Sequence, residues 1–359
     1  MIPDERTEND TISVRDDETF DTKSLARYLI DKLPGTKSSL TVRQFWGGAA
    51  NLTYLLDFEG KEYVLRRPPL GPVAKSAHDM NREYTVLSVL HKAFPYAPKA
   101  YMFCEDLSII GAPFFIMERK KGFVIRRSFP KGLTPSPKLA TEISNQLVDR
   151  LVEFHNVDYE RLGLSELGRP EGFIKRQVEG WYRRWHRAKT EDNEDVDQVY
   201  NWLRKNIPKT EHFSLVHNDF KLDNVMVDSS GQIVAIFDWD MCTLGDPLSD
   251  LGALLTYWTD PTDPPYLQVL STMPTHESIG WPSRQELIER YEAKSGIAVS
   301  NVQFYHTLGL FRLTVIIAQI YIRFVNKQTQ DQRFGALGTI IPFVARAANE
   351  TALGNFPGE

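Results

Sequence analysis

His217-Asn218-Asp219-Phe220-Lys221-Leu222-Asp223-Asn224, and behind it Val225-Met226-Val227-Asp228-Ser229-Ser230-Gly231-Gln232-Ile233-Val234-Ala235-Ile236-Phe237-Asp238-Trp239-Asp240, is the stretch on which the chain turns. It places a His-x-Asp first, an Asn five residues after that Asp, and an isolated Asp behind an apolar run. Residues 224–227 and 232–237 read as two short strands joined by the turn Asp228-Ser229-Ser230-Gly231. An antiparallel hairpin carries the chain out and back, so Asn224 and Asp238 are expected at one end of it, with Asp219 one tight loop earlier. Two carboxylates and an amide oxygen converging there suit a hard cation such as Mg²⁺, which takes oxygen ligands and phosphates together. The competing reading is a solvated turn rich in Asp and Asn.

These residues resemble the catalytic centre of the protein-kinase-like fold, in which a His-Arg-Asp-x-x-x-x-Asn loop supplies a base and a metal ligand and an Asp-Phe-Gly supplies the other ligand. Here the second motif is Asp238-Trp239-Asp240, followed by Gly245-Asp246-Pro247-Leu248-Ser249-Asp250-Leu251. That pattern is similar to the aminoglycoside phosphotransferase and choline kinase superfamily, over residues 45–343 or so. The resemblance implies an α+β, bilobal fold with a small strand-rich N-lobe and a larger, mainly helical C-lobe. It also implies ATP and Mg²⁺ as cofactors. Protein kinases dock peptides on a long segment that ends in Ala-Pro-Glu. Here six residues, 239–244, separate Asp238 from Gly245-Asp246-Pro247, and Ala-Pro-Glu does not occur. The acceptor is therefore expected to be a small hydroxylated molecule.

Composition is consistent with this. A chain of 359 residues can bury a substantial core, and 42% hydrophobic with 25% charged residues is ordinary for a globular protein. A net charge of −5 argues against general nucleic-acid binding. Two cysteines are too few for a disulfide framework and suggest a reducing compartment. Residues 1–20 are acidic and polar, so no signal peptide is expected. The longest apolar run, 313–322, is ten residues and reads as a buried helix rather than a membrane span. A cytoplasmic, membrane-free protein is expected.

Residues 1–19 carry few large apolar side chains and read as a flexible extension. Strands are predicted at 40–46, 52–58, 62–66 and 113–117, and an amphipathic helix at 78–93. Helices follow at 137–155, 173–189, 195–206, 283–294 and 302–325. The expected division is a nucleotide-binding N-lobe at 20–118 and a catalytic, acceptor-binding C-lobe at 119–359, with a nucleotide in a cleft between them.

In the N-lobe, Gly47-Gly48 lies between two strands, either as a phosphate-covering turn or as a plain hairpin turn. Period two puts Val64 and Arg66 on one strand face and Tyr63 and Leu65 on the other. The resemblance makes Arg66 the phosphate-binding cation, where most kinases carry lysine, and Glu83 its helical partner. Arg67 is the alternative partner if the register slips by one residue. Met117 and Glu118 then fall in the connector that meets adenine, with a core role as the alternative for Met117.

In the C-lobe the resemblance implies Asp219 as base, Lys221 as a contact to the transferred phosphate, and Asn224 and Asp238 as metal ligands. It makes His217 and Asp250 structural supports of the loop, and leaves Asp223 and Asp240 open. Residues 119–138 carry seven Lys or Arg and no acid, and residues 161–189 carry eight against three. In this superfamily those regions line the acceptor side, so a basic lining favours an anionic acceptor. Arg126, Trp181, Arg184 and Trp185 are the expected acceptor-binding residues, against a solvated basic face over two core tryptophans. Arg66-Arg67-Pro68-Pro69, Ser76-Ala77-His78-Asp79-Met80-Asn81-Arg82-Glu83-Tyr84 and Arg176-Gln177 resemble the branch associated with acyl-CoA dehydrogenases, which implies a hydroxyacyl-CoA. An aminoglycoside- or choline-type kinase and a nucleotide-binding pseudokinase are the alternatives.

Overall fold

The computed structural model describes residues 10–45, 51–69, 80–260, 262–263, 265–268, 271–329 and 332–355. Gly47 and Gly48 lie outside the described residues, as do 76–79 of the branch motif. Contacts divide the chain into two units. The first is Met1–Phe123 with Pro130–Gly132 and Val234–Cys242; the second is Val124–Phe129 with Leu133–Ile233 and Thr243–Glu359.

The first unit is built on a six-stranded sheet. Its strands are β1 (Thr11–Ile12), β2 (Leu40–Phe45), β3 (Leu52–Phe58), β4 (Lys61–Arg67), β5 (Ala100–Cys104) and β6 (Phe114–Glu118), in the order β1-β2-β3-β4-β6-β5. Two helices accompany it, α1 (Thr22–Leu29) and α2 (Met80–Leu90), with a short turn of helix α3 at Leu107–Ile110. Residues 10–19, part of the expected extension, contribute β1, and Tyr54 Oη and Arg67 Nη2 both donate to the Glu18 carbonyl. Alternation in β4 sorts its side chains as the sequence predicts. Tyr63 and Leu65 join Tyr54, Leu56, Phe58, Phe114 and Ile116 in a core that buries Leu25 and Leu29 of α1 completely. Each such leucine stabilises the fold by roughly 1.5–3 kcal/mol. Asp21 caps α1, its carboxylate accepting from the Lys23 and Ser24 amides.

The second unit is mainly helical: α4 (Pro137–His155), α5 (Phe173–Ala188), α6 (Glu194–Lys205), α7 (Leu248–Tyr257), α8 (Pro265–Gln268), α9 (Arg284–Ser295), α10 (Val302–Val325) and α11 (Leu337–Ala352). Sequence reading anticipated α4, α5, α6, α9 and α10 and missed the four-residue α8, the largely apolar α7, whose burial hides the helical period, and α11, which carries Pro342 inside it. The starts are sharp where capping is strong. Ser136 precedes Pro137 at the head of α4, and Ser283 with Glu286 forms a reciprocal capping box on α9. The short strands β7 (Phe123–Val124), β8 (Ser214–Val216), β9 (Val225–Val227), β10 (Ile233–Ile236) and β11 (Thr243–Gly245) complete the chain. Those expected after the loop are β9 and β10; the turn between them is closed by Asp228 N–H donating to the Gln232 carbonyl and Gly231 N–H to that of Asp228.

Helix α10 is long and apolar enough to cross a membrane by length and composition alone. Its residues 304–312 are buried in the second unit and include Arg312, which is the pattern of a core helix. It meets α7 at two glycines. A Cβ on Gly252 would stand 2.3 Å from the Tyr305 carbonyl oxygen, and one on Gly309 would stand 2.7 Å from the Gly252 oxygen. Only glycine permits that approach.

Candidate active site

In the first unit, β4 presents Arg66 on the face opposite the Tyr63 and Leu65 core. Its Nη1 donates to Glu83 Oε1 of α2 at 2.5 Å, and its Nη2 donates to Asp238 Oδ1 at 3.0 Å. Glu83 is completely buried and Arg66 nearly so. Arg67 points the other way, to the Tyr54 hydroxyl at 2.9 Å, so the register slip does not occur. Burial works against the Arg66 cation, but Glu83, Asp238 and Asp240 outweigh it and hold its pKa above the usual arginine value. On Glu83 burial is the largest influence, opposed by Arg66 and reinforced by Asp240 and Asp238, and the carboxyl stands above the ordinary glutamate range. Asp238 has φ 70° and ψ 59°, a left-handed conformation that Asp tolerates better than most residues. The segment carrying it belongs to this unit, where Trp239 packs on Phe94 and the Ile236 amide donates to the Tyr96 carbonyl. Val64 and Met117 are directly paired across β4 and β6 and are buried. Glu118 closes β6 with its carboxylate on the Lys120 ammonium at 3.1 Å.

In the second unit, residues 217–224 gather most of the expected catalytic groups. Asp250, buried on α7, accepts from the His217 amide at 2.6 Å and the Asn218 amide at 2.7 Å, and lies 3.2 Å from His155 Nε2. Burial acts to raise this carboxyl, yet the bonds from His155 and the loop amides hold it below the usual aspartate value. Asn218 is thereby kept at φ 65°, and the left-handed step turns Asp219 out of the loop. Asp219 Oδ2 accepts from Asn224 Nδ2 and pairs with Lys221 Nζ, both at 2.9 Å. Lys221 also lies 4.6 Å from the Tyr257 ring. Burial would lower the Lys221 ammonium, but Asp219 overcomes it and the pKa stands well above the lysine norm. His217 is a support: it is fully buried, and its Nδ1 accepts from the Asp219 amide at 3.3 Å. Asp223, left open by the sequence, is raised chiefly by burial, with Lys221 and Arg126 opposing.

Of the acceptor-binding candidates, Arg126 is exposed and has Asp223 as an electrostatic neighbour. Trp181 and Trp185 of α5 are 4% and 2% exposed, so neither offers an open ring, and the alternative of core tryptophans beneath a basic face describes them. Trp181 is flanked by two guanidiniums, Arg184 at 4.4 Å and Arg312 at 5.4 Å. Arg312 and Tyr257 were not singled out from the sequence. The available signal was a lone arginine at the edge of the apolar run in α10.

The donor set fits a magnesium ion coordinated largely by other oxygens. Asn224 spends its Nδ2 on the Asp219 carbonyl and carboxylate, so its Oδ1 is the atom that could take a cation. Among the described residues no cluster of three or more His, Cys, Asp or Glu forms a metal cage. Mg²⁺ with one or two protein oxygens, phosphates and waters needs none.

Comparison with known proteins is concordant. A family model described as the phosphotransferase enzyme family matches residues 41–287. Acyl-CoA dehydrogenase family member 11 of Rattus norvegicus is 34% identical over 343 residues, which is 93% of this chain and 43% of that protein. The chain thus spans less than half the length of this curated relative. A crystal structure from Ralstonia eutropha, provisionally described as an aminoglycoside phosphotransferase, superposes with a TM-score of 0.80 at 29% identity. The match covers 94% of this chain and 99% of that one. A Plasmodium vivax ethanolamine kinase shares the fold, with a TM-score of 0.58 at 13% identity over 90% of this chain and 86% of that one.

Proposed function

The chain belongs to the phosphotransferase enzyme family, and from that premise we propose that it transfers the γ-phosphoryl group of Mg-ATP to a hydroxyl of a small anionic metabolite, with a hydroxyacyl-CoA as the acceptor. The carrying observation is the Asp219 carboxylate, gripped by Asn224 and Lys221 at 2.9 Å on a loop that Asp250 clamps. In this reading Asp219 takes the proton of the acceptor hydroxyl as its oxygen forms the new bond to phosphorus, and the bond from the γ-phosphorus to the bridging oxygen breaks to release ADP. Arg66, held by Glu83, neutralises phosphate charge, and Asn224 and Asp238 are the proposed Mg²⁺ ligands; the ion would offset charge on the phosphates. Lys221 is the proposed contact to the transferred group.

ATP use is supported by a solved relative of the same fold, an aminoglycoside phosphotransferase described as a ternary complex with AMP-PNP and hygromycin B. The choice of an anionic acceptor rests on Arg126 and Arg184 and on the basic character of 119–138 and 161–189. It also rests on similarity to proteins named as acyl-CoA dehydrogenase family members. A cytoplasmic location belongs to the same proposal, supported by two free thiols, Cys104 and Cys242.

The test incubates the protein with Mg-ATP and a 4-hydroxyacyl-CoA, choline or an aminoglycoside, reads products by mass spectrometry, and repeats the assay with Arg126→Ala/Arg184→Ala. Phosphorylated thioester, with a raised Michaelis constant in the variant, is expected. Turnover of either cation without the thioester would overturn the acceptor assignment.

A further inference from the structure

Arg312 is a buried cation that the protein leaves mostly unanswered. It is 6% exposed, and one of its nitrogens, Nη2, donates to the Asn218 carbonyl at 2.6 Å. A guanidinium carries five N–H donors, and Nε and Nη1 have no hydrogen-bond partner among the described residues. No carboxylate there lies within ion-pair distance of it. Burial accordingly lowers its pKa, with Tyr257, Asp219 and Asp250 only partly compensating. A desolvated charge without a counter-ion is costly, and proteins rarely retain one unless something else supplies the anion.

The side chain lines a small cavity together with Asn218, Tyr257, Gly309, Leu313 and Ile316. The glycine contacts between α7 and α10 bring those helices close enough for Tyr257 and Arg312 to share its wall. The cavity has room for about one oxygen-sized group. Tyr257 likewise has no hydrogen-bond partner for its hydroxyl among the described residues. Burial, reinforced by Asp219, pushes it up to about 12, so it stays a donor at neutral pH. Its ring lies beneath Lys221, whose ammonium pairs with the proposed base. Arg312 and Tyr257 therefore share the wall of one small cavity with Asn218, the residue before Asp219.

We propose that Arg312 and Tyr257 form an oxygen-binding subsite for the acceptor, taking a carbonyl or carboxylate oxygen carried on the same chain as the hydroxyl that is phosphorylated. This rests on the small-molecule kinase reading of Asp219 and deepens it. Arg126 and Arg184 answer charge at a distance, whereas this pair reads the functional group near the reacting end. An acceptor lacking that oxygen makes no such bond to the nearly buried Arg312 cation or to the half-buried Tyr257 hydroxyl, which is a basis for discrimination. The Arg312 bond to the Asn218 carbonyl also steadies the loop, so the test separates the two roles.

The full chain is assayed with Mg-ATP and three acceptors: 4-hydroxypentanoyl-CoA, free 4-hydroxypentanoate, and 2-pentanol, which keeps the hydroxyl but has no carbonyl. Wild type should favour one of the carbonyl-bearing acceptors over 2-pentanol in kcat/KM by about 10–100-fold, the scale of charge-assisted hydrogen bonds. Preference for the thioester or the free acid identifies which oxygen is read. Arg312→Lys and Tyr257→Phe should each shrink that ratio at least threefold through KM. A variant that loses kcat equally with every acceptor, keeping the ratio, would reduce Arg312 to a loop-positioning residue and overturn the subsite. Tyr257→Phe removes one hydroxyl and keeps the test alive if Arg312→Lys fails to fold. Should no acceptor be phosphorylated, the kinase reading of these acceptors fails, and the subsite is judged by calorimetric binding of 4-hydroxypentanoate and its thioester. Tighter binding to wild type than to Tyr257→Phe supports it; equal binding, or none to either, overturns it.

Discussion

Replacing Asp250 by asparagine should loosen the loop that carries Asp219 and cost the second unit about 2–4 kcal/mol. The carboxylate serves the His217 amide at 2.6 Å, the Asn218 amide at 2.7 Å and His155 Nε2 at 3.2 Å, all without solvent. An asparagine keeps one acceptor oxygen and turns a second donor toward the loop, so one buried backbone N–H loses its partner. Leaving such a group unsatisfied costs roughly 1–3 kcal/mol, and losing the charge from the remaining bonds adds about 1 kcal/mol more. Asn218 stands at φ 65°, and with one strut gone that conformation becomes harder to hold. Asp250→Ala orphans both amides and should cost about 3–5 kcal/mol, a large part of the roughly 5–15 kcal/mol that holds a domain together. Urea unfolding followed by tryptophan fluorescence reads the change. A lowered midpoint of about 1 M is expected for Asp250→Asn at a slope of about 3 kcal/mol/M. The folded Asp250 carboxyl ionises below its unfolded value, so its contribution is present above about pH 4 and is lost as pH falls through the folded pKa. Wild type and Asp250→Asn should therefore differ most near neutrality and converge in acid. A midpoint unchanged at pH 7, or a gap that widens as pH falls, would refute the clamp.

Asp219→Asn should fold normally and retain nucleotide binding while turnover falls by roughly 10²–10⁴-fold in a coupled ADP-release assay; near-normal turnover would remove it as the base. Arg66→Ala and Glu83→Ala should each weaken nucleotide binding or turnover, and the double variant should cost less than their sum, because the pair shares a buried 2.5 Å contact. Strict additivity in that cycle would mean that the contact carries no coupling.

Much of the site was legible because its chemistry is written locally. His217, Asp219 and Asn224 lie within eight residues, and a loop that short brings their side chains together whatever surrounds it. Strand alternation assigned Arg66 to one face and Tyr63 and Leu65 to the other, because successive side chains on a strand point to opposite sides. The pairing of Arg66 with Glu83 was anticipated only through resemblance, since no local rule joins a strand to a helix across residues 68–79. Helix α7 escaped because a largely apolar, buried segment shows little helical period, and α11 because Pro342 inside it reads as a helix breaker.

What the sequence determined by itself was therefore the family, through its motifs, and which residues share a short-range loop or strand face. Tertiary structure alone decided the burial of Trp181 and Trp185, which turned an expected open aromatic face into core. It likewise brought Arg312, ninety-four residues beyond Asn218, onto the loop carbonyl and set it beside Tyr257. The physical reason is one of range. Spacing along a chain fixes which side chains share a turn or a strand face, whereas the meeting of α7 and α10 depends on how closely Gly252 and Gly309 let two backbones pack.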